Sequence, residues 1–271
     1  MKDPHSDWFE TCIAQLTASG TQRVWSVLVS IFGDLAQKET DQISGALITR
    51  LTGLAGIKSE ATRVALRRLR KEGWIESTRS GRNSTHSLTA FGRAQSAAAV
   101  PRIYARETVR PETWHVLIAD SSDGSRQELA DLLLTGDYIP LSSTAAMAPG
   151  EAPEGIEDLF IVQSGALSVP RWLRERCGPD ALNEGYKQLL TRLRAVQESI
   201  PASGVGDPFQ AAVLRVLIVH SWRRIVLRHP DLPSEFLPEA WKGPACRKVV
   251  FQILDRLPRP SIKALESALT G

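Results

Sequence analysis

Residues 59–74 read SEATRVALRRLRKEGW, and this stretch decides how the N-terminal third of the chain folds. Small or apolar side chains recur at helical spacing on one side: Thr62, Ala65, Leu66 and Leu69. Basic side chains occupy the other side: Arg63, Arg67 and Arg70. The pattern predicts an amphipathic helix with Ser59 as its N-cap and Gly73 just after its last turn.

The segments on either side complete a domain pattern. Residues 23–35 and 44–54 each repeat apolar positions every three or four residues, which predicts two helices joined to the basic helix by the tight turn 55–57. Residues 74–79 and 85–88 flank the polar tip 80–84 and predict a β-hairpin, after which Thr89 caps another helix. This order indicates a winged helix-turn-helix over residues 20–98.

The charge of this segment predicts double-stranded DNA as its partner. Residues 58–93 carry nine basic side chains against three acidic ones, so binding to phosphates would release counterions. A short helix fits the major groove, where arginine bonds guanine bidentately. The predicted DNA contacts are Lys58, Ser59, Thr62, Arg63, Arg67, Arg70, Arg79, Arg82, Asn83 and Ser84. Two alternatives remain: an arginine stripe that is simply solvated, and a winged helix that binds protein or RNA.

Composition limits the other classes of function. The chain has 271 residues, 42% hydrophobic and 23% charged, as in a soluble protein of two or three domains. No apolar run approaches the roughly 18 residues that span a bilayer, and no secretory signal begins the chain, so we expect a cytoplasmic protein without membrane contact. Residues 1–110 have a net charge of +6 and residues 111–200 have a net charge of −7. We therefore expect a polyanionic partner to contact only the N-terminal part.

No pattern for catalysis or metal binding is evident. The three cysteines lie far apart without C-x-x-C spacing, and the five histidines are scattered, so we expect no metal and no cofactor. Phosphate-binding loops, dinucleotide fingerprints and nucleophile elbows are also missing from the sequence, which argues against an enzyme. The enzymatic alternative is a metal-dependent nuclease that uses Asp120 at a strand end, where a lone acid is more often a cap.

The chain resembles a known family along nearly its whole length. The matching residues are Phe32-Gly33-Asp34, Gly56-Ile57, Arg63 to Leu69, Gly73-Trp74, Gly81 to Ser84, Leu88-Thr89, Arg102-Ile103-Tyr104, Trp114, Trp172, Tyr186, Arg223-Arg224, His229 to Pro233, Leu237-Pro238, Trp241 and Gly243. In this order they resemble the phenylacetic-acid degradation repressors, the PaaX-type transcriptional regulators. The hairpin departs from the family with Thr85-His86, where we expect aromatic residues, and with Asn83, where a second arginine is common.

The resemblance implies an α+β, multidomain architecture and a function. A GntR-like winged helix is followed by a ferredoxin-like α/β domain, here residues 111–165, and a helical C-terminal domain, residues 170–271, for effector binding or dimerisation. The family implies a homodimeric repressor of aromatic or acyl-CoA catabolic genes that a CoA thioester such as phenylacetyl-CoA releases from its operator.

Periodicity in the remaining two thirds agrees with this division. Strands are predicted at 113–119, from 138 and at 158–162, and helices at 125–134, 180–196, 209–227 and 244–257, with breaks at 97–101, 147–153 and 201–208. The helix 209–227 is apolar nearly all round, which places it in a domain core or a dimer interface, and we favour the core. Candidate effector-binding residues, aromatic or cationic, are Trp172, Tyr186, Arg223, Arg224, His229 and Trp241. Core packing for the aromatics and a local hydrogen bond for His229 are the alternatives.

Overall fold

The computed structural model describes residues 4–18, 23–81, 83–108 and 110–270. The helices are α1 Pro4–Thr17, α2 Val24–Leu35, α3 Gly45–Leu54, α4 Ser59–Lys71, α5 Ala90–Tyr104, α6 Asp123–Leu134, α7 Arg171–Cys177, α8 Asp180–Ser199, α9 Pro208–Val226, α10 Gly243–Arg256 and α11 Ile262–Thr270. The strands are β1 Ile43–Ser44, β2 Ile75–Ser80, β3 Asn83–Leu88, β4 Trp114–Ala119, β5 Ile139–Pro140, β6 Ala145–Pro149 and β7 Leu159–Ser164. The fold is thus α+β, and within the described ranges no helix has the length and apolar character needed to cross a membrane.

Most of the predicted elements are confirmed, and two of the predicted breaks are wrong. Helix α5 runs through residues 97–101 with Pro101 inside it, because alanine favours helix and the last turn is anchored by buried Ile103. Strand β6 occupies part of the break at 147–153, because its small side chains Ala146 and Ala148 pack tightly inside a sheet. Helices α1, α7 and α11 were not predicted.

The described residues cluster into two compact units, which divide the predicted C-terminal domain between them. The first unit comprises residues 1–106, 186–225 and 243–271, and the second comprises residues 107–185 and 226–242. In the first unit β1, β3 and β2 form an antiparallel sheet in that order. Helix α9 lies in the interior of this unit, where Leu214, Leu217 and Ile218 have no exposed surface, so α9 is a core helix as predicted.

A polar seam joins α2 to α9 inside this apolar core. Three pairs form it: Ser26 with Arg223 at 3.2 Å, Ser30 with His220 at 3.1 Å, and Asp34 with Arg215 at 2.8 Å. The Asp34 carboxylate is fully buried and also accepts hydrogen bonds from the Tyr104 hydroxyl at 2.5 Å and the Arg259 guanidinium at 3.5 Å. These hydrogen bonds satisfy polar groups that would otherwise be buried without a partner.

Helix α11 also belongs to the first unit and contacts the start of α3. Ser44 is the N-cap of α3, and its side chain accepts a hydrogen bond from the Leu47 N–H at 3.0 Å. The Glu266 carboxylate accepts from the Ser44 N–H at 2.8 Å and from its hydroxyl at 2.9 Å. An anionic group is favourable at a helix N-terminus, so Glu266 stabilises both α3 and the position of α11.

The second unit is built on a four-stranded antiparallel sheet with the strand order β5-β6-β4-β7. One face packs on α6 through Leu117, Leu129 and Leu159. The other is covered at one end by α7 and by residues 232–237, where the Trp114 and Phe236 rings lie 4.6 Å apart. Residues 150–158 contain no helix, whereas a ferredoxin-like fold has a second helix between its last two strands, so that assignment stays a prediction.

Candidate nucleic-acid interface

A tight turn ends α3 and sets the start of α4. Gly56 has a φ of 75°, which favours glycine. The Ile57 N–H donates to the Thr52 carbonyl at 2.9 Å and the Gly56 N–H to the Gly53 carbonyl at 3.0 Å, the two hydrogen bonds of a Schellman motif. Helix α3 therefore stops abruptly, and α4 begins only three residues after Gly56.

The first turn of α4 differs from the prediction. Lys58, not Ser59, is the N-cap residue, and its side chain makes no capping hydrogen bond. Ser59 is instead the first helical residue, whose hydroxyl lies 3.1 Å from Glu60 Oε1 and 3.4 Å from Arg63 Nη2. Hydrogen bonds from the backbone N–H of Glu60 and from Ser59 lower the pKa of the Glu60 carboxyl. A charged carboxylate 3.7 Å from Arg63 helps to orient that guanidinium.

The inner face of α4 carries three of the four residues of the predicted core stripe, and the fourth, Leu66, is half-buried. Thr62, Ala65 and Leu69 are 1%, 6% and 0% exposed. The Thr62 hydroxyl donates to Thr52 Oγ1 on α3 at 3.0 Å, which satisfies a polar group that would otherwise be buried without a partner. Thr62 is therefore a helix-packing residue, and its predicted contact with DNA is wrong, since a 1% exposed side chain is out of reach of a groove.

The outer face of α4 carries the basic residues. Arg63, Arg67 and Arg70 are all exposed, as are Lys58 and Lys71. Lys71 was not among the predicted contacts, although its spacing from Arg67 marks it as a neighbour on this face. An exposed guanidinium or ammonium group is accessible to the phosphates of a polyanion.

Arg68 differs from the other arginines of α4. Its guanidinium lies 5.1 Å from the centre of the Trp25 ring on α2, and its Nε donates to Glu72 at 2.7 Å. Cation–π and ion-pair contacts of this kind hold the side chain against the protein. Arg68 thus contacts α2 with its guanidinium, while its side chain remains 55% exposed.

The end of α4 fixes the base of the hairpin. Gly73 has a φ of 74°, and the Trp74 N–H donates to the Leu69 carbonyl at 2.9 Å, as in the turn before α4. Thr89 caps α5 by accepting from the Gly92 N–H at 3.0 Å, as predicted. A Cβ at Gly92 would lie only 2.1 Å from the Trp74 carbonyl oxygen, so this close approach of α5 to the hairpin requires glycine.

The hairpin pairs β2 with β3 in the register Ile75 to Leu88 through Ser80 to Asn83. Gly81, at a φ of 61°, begins the two-residue tip, and the predicted contact Arg82 lies outside the described residues. Arg79 and Asn83 are exposed near the tip, where a groove or a phosphate could meet them.

His86 lies at the part of the hairpin where the resemblance led us to expect an aromatic residue. Its imidazole is only 8% exposed, with Nδ1 2.8 Å from the Ser77 hydroxyl and Nε2 3.4 Å from that of Ser84. Burial, and secondarily the charge of Arg70, lowers the pKa of His86, so the ring is neutral at pH 7. Ser84, a predicted DNA contact, is half-buried and directed at this histidine.

Comparisons with known proteins identify the family. Residues 23–92 match the family model described as PaaX-like protein, and residues 179–267 match the PaaX-like protein C-terminal domain, which together cover more than half of the chain. The chain belongs to the PaaX-like family.

Two individual proteins are similar over most of this PaaX-like chain. The Transcriptional repressor PaaX of Escherichia coli (strain K12) is 27% identical over 274 residues, a match that covers 92% of this chain and 84% of the relative. The structure of Uncharacterized protein Rv0674 from Mycobacterium tuberculosis covers 91% of this chain and 98% of its own at a TM-score of 0.54 and 19% identity. The second likeness concerns the fold alone.

The candidate effector residues of the PaaX-like chain are divided between the two units. Tyr186, Arg223 and Arg224 belong to the first unit, and Trp172, His229 and Trp241 belong to the second. Tyr186 is 1% exposed and lies 6.0 Å from the Trp222 ring, which agrees with core packing.

In the second unit, the predicted local hydrogen bond of His229 is confirmed. Its Nδ1 lies 2.6 Å from the Pro230 carbonyl oxygen, and its ring meets the Trp241 ring edge-to-face at 5.6 Å. Trp172, half exposed on α7, has the Arg176 guanidinium 5.2 Å from its ring centre.

Asp120, the carboxylate of the nuclease alternative, accepts hydrogen bonds from Ser122, the N-cap residue of α6. Its Oδ1 accepts from the Ser122 N–H at 2.7 Å and from the Ser122 hydroxyl at 2.6 Å, and these bonds lower the pKa of the carboxyl. Within the described ranges no group of three or more potential ligands is placed to hold a metal ion.

Proposed function

We propose that this protein is a sequence-specific DNA-binding transcriptional repressor that reads its operator through a winged helix-turn-helix at residues 20–98. The observation that carries the proposal is the outer face of α4, where Arg63, Arg67 and Arg70 project from a helix bounded by two glycine turns. The similarity to a repressor over 92% of the chain supports the regulatory role.

In this proposal, α4 enters the major groove and the β2–β3 hairpin acts as the wing. A 13-residue helix spans about 20 Å, which is enough to follow the groove across several base pairs. Arg63 and Arg67 read base edges, while Lys58, Lys71 and Arg79 contact phosphates and fix the register.

The test is the binding of purified protein to its own promoter region, measured by fluorescence anisotropy at salt concentrations from about 50 to about 200 mM. Over this range, a protein that contacts several phosphates loses about tenfold or more in affinity. We expect selective binding that weakens steeply with salt. Salt-insensitive or absent binding would favour a protein-interaction module, and magnesium-dependent cleavage of the duplex would favour the nuclease.

We further propose that the repressor works as a homodimer, with the edge strand β7 as the contact between copies. β7 is the last strand of its sheet and carries no charged residue, and Phe160 and Val162 are 67% and 40% exposed. Uncharged, apolar edges invite pairing with another strand, and antiparallel pairing of β7 with itself would be two-fold symmetric. Analytical ultracentrifugation of the wild type and of Phe160→Glu tests this contact. We expect the wild type to sediment as a dimer and the variant as a monomer.

The effector in this proposal is a CoA thioester such as phenylacetyl-CoA, and the regulated genes are those of phenylacetic acid catabolism. Aromatic side chains beside cations, as at Trp172 and Arg176, suit an aryl group and CoA phosphates. Titration of phenylacetyl-CoA into the protein–DNA complex should release the DNA, whereas free CoA should not. Equal release by both compounds, or by neither, would contradict this assignment.

A further inference from the structure

Val64 occupies the exposed face of α4 beside the basic residues. Arg67 and Lys71 follow Val64 by three and seven positions along the helix, so their side chains lie next to that of Val64. The buried stripe of Thr62, Ala65 and Leu69 lies on the opposite side. Val64 is 62% exposed, so its two methyl groups are directed at solvent from the surface that is proposed to face DNA.

Neither the helix nor the core requires valine at this position. A β-branched side chain has lower helix propensity than alanine, and an exposed one gains nothing from burial. Among the described residues from 43 to 88, Val64 is the one large hydrophobic side chain that is exposed. An apolar side chain in the middle of a basic face therefore suits a binding partner that presents an apolar group surrounded by polar ones.

The major groove of DNA offers one such partner. Phosphates and nearly all base-edge groups are polar, but thymine presents its 5-methyl group in the major groove. Valine is short, so it meets a base edge only where the helix backbone comes close, and the longer arginines on the same face then reach the neighbouring base pairs. We propose that Val64 contacts a thymine methyl in the operator and is a specificity-determining residue. This inference rests on the proposed function.

Replacing thymine with deoxyuridine tests the contact, because the exchange removes only the methyl group. The probe is the duplex that the full-length protein enriches from a randomised library, with each thymine changed in turn. For the wild type, we expect a loss of about fourfold in affinity at one thymine of a half-site, the value of one buried methyl-sized group. In Val64→Ala the same exchange should have no effect, and the variant should fold because alanine favours helix.

Arg79→Ala provides the control, since it lies in the hairpin and should weaken binding while keeping the response to deoxyuridine. Equal losses in the wild type and Val64→Ala at every thymine, or no loss at any thymine, would overturn the role of Val64 and leave DNA binding intact. Failure of the protein to enrich any duplex would instead overturn the proposed function and this inference with it.

Discussion

Replacing Arg67 with alanine removes an exposed cation of α4 while leaving the fold intact. The Arg67 side chain is exposed and makes no hydrogen bond or ion pair with another described residue, and alanine is the better helix former. A bidentate arginine–guanine contact contributes about 1–3 kcal/mol, so we expect Arg67→Ala to weaken operator binding by roughly 5- to 150-fold. The free energy of unfolding, measured by thermal denaturation, should stay within about 0.5 kcal/mol of that of the wild type.

Arg68→Ala is the matched control, because the neighbouring substitution removes the same charge from the same helix. Its guanidinium is engaged with Trp25 and Glu72, at 5.1 Å and 2.7 Å. Loss of these two contacts should lower the free energy of unfolding by about 1 kcal/mol, as for an exposed ion pair and a cation–π contact. Operator affinity should fall by less than about threefold, since only the general attraction of phosphates is reduced.

Fluorescence anisotropy with a labelled operator duplex at several salt concentrations separates the possible outcomes. If Arg67 reads a base, the variant should lose discrimination against a changed base pair and keep the salt slope. If it contacts a phosphate, the slope should fall by about 0.9 for each lost contact. Equal effects of the two substitutions on binding would refute the division of α4 into a packing side and a DNA-facing side.

Three further substitutions, with Gly53→Ala as a control, test the contacts and the turn that stabilise the first unit. Arg215→Met leaves the Asp34 carboxylate without its nearest cation and should lower the free energy of unfolding by about 3–5 kcal/mol in urea denaturation; a loss below about 1 kcal/mol would contradict the seam. Burial holds the pKa of His220 at about 3, well below its ordinary value, so the unfolded chain takes up a proton first as pH falls below about 6.5. Stability should then decline by up to about 1.4 kcal/mol per pH unit, and His220→Gln should show a shallower decline, whereas parallel curves would exclude this cause. Gly73→Ala should destabilise by about 1–2 kcal/mol in thermal unfolding because of its positive φ, while Gly53→Ala inside α3 should be neutral or stabilising; similar effects of both would argue against the backbone explanation.

Local patterns in the sequence predicted the elements that form the candidate site. The amphipathic spacing of α4, the glycine after it and the capping Thr89 depend on neighbours within one or two turns, and each is visible in the structure. The same local reasoning failed where distant contacts decide the outcome. Helix α5 continues through Pro101, and besides buried Ile103 its last turn is held by the hydrogen bond from Tyr104 to Asp34, 70 residues away.

The assignment of individual side chains to the surface also depended on tertiary contacts. Thr62 and Arg63 are adjacent in sequence and polar, yet one is buried against Thr52 and the other is exposed. Arg67 and Arg68 both fit a basic stripe, but only the structure shows that Trp25 of α2 engages the second. A charge pattern alone cannot separate such pairs, because helical spacing gives the angle of a residue on its helix and not the position of neighbouring helices.

The sequence by itself determined that a basic helix stands between two glycine turns and before a hairpin, since helix periodicity, capping and positive φ act over a few residues. The tertiary structure alone decided that α9 and α11 belong to the same unit as this helix, through Asp34 with Arg215 and Ser44 with Glu266. Those pairs are 181 and 222 residues apart. No local pattern encodes their contact, because it arises only when the apolar faces of the helices pack together and bring the polar groups within hydrogen-bonding distance.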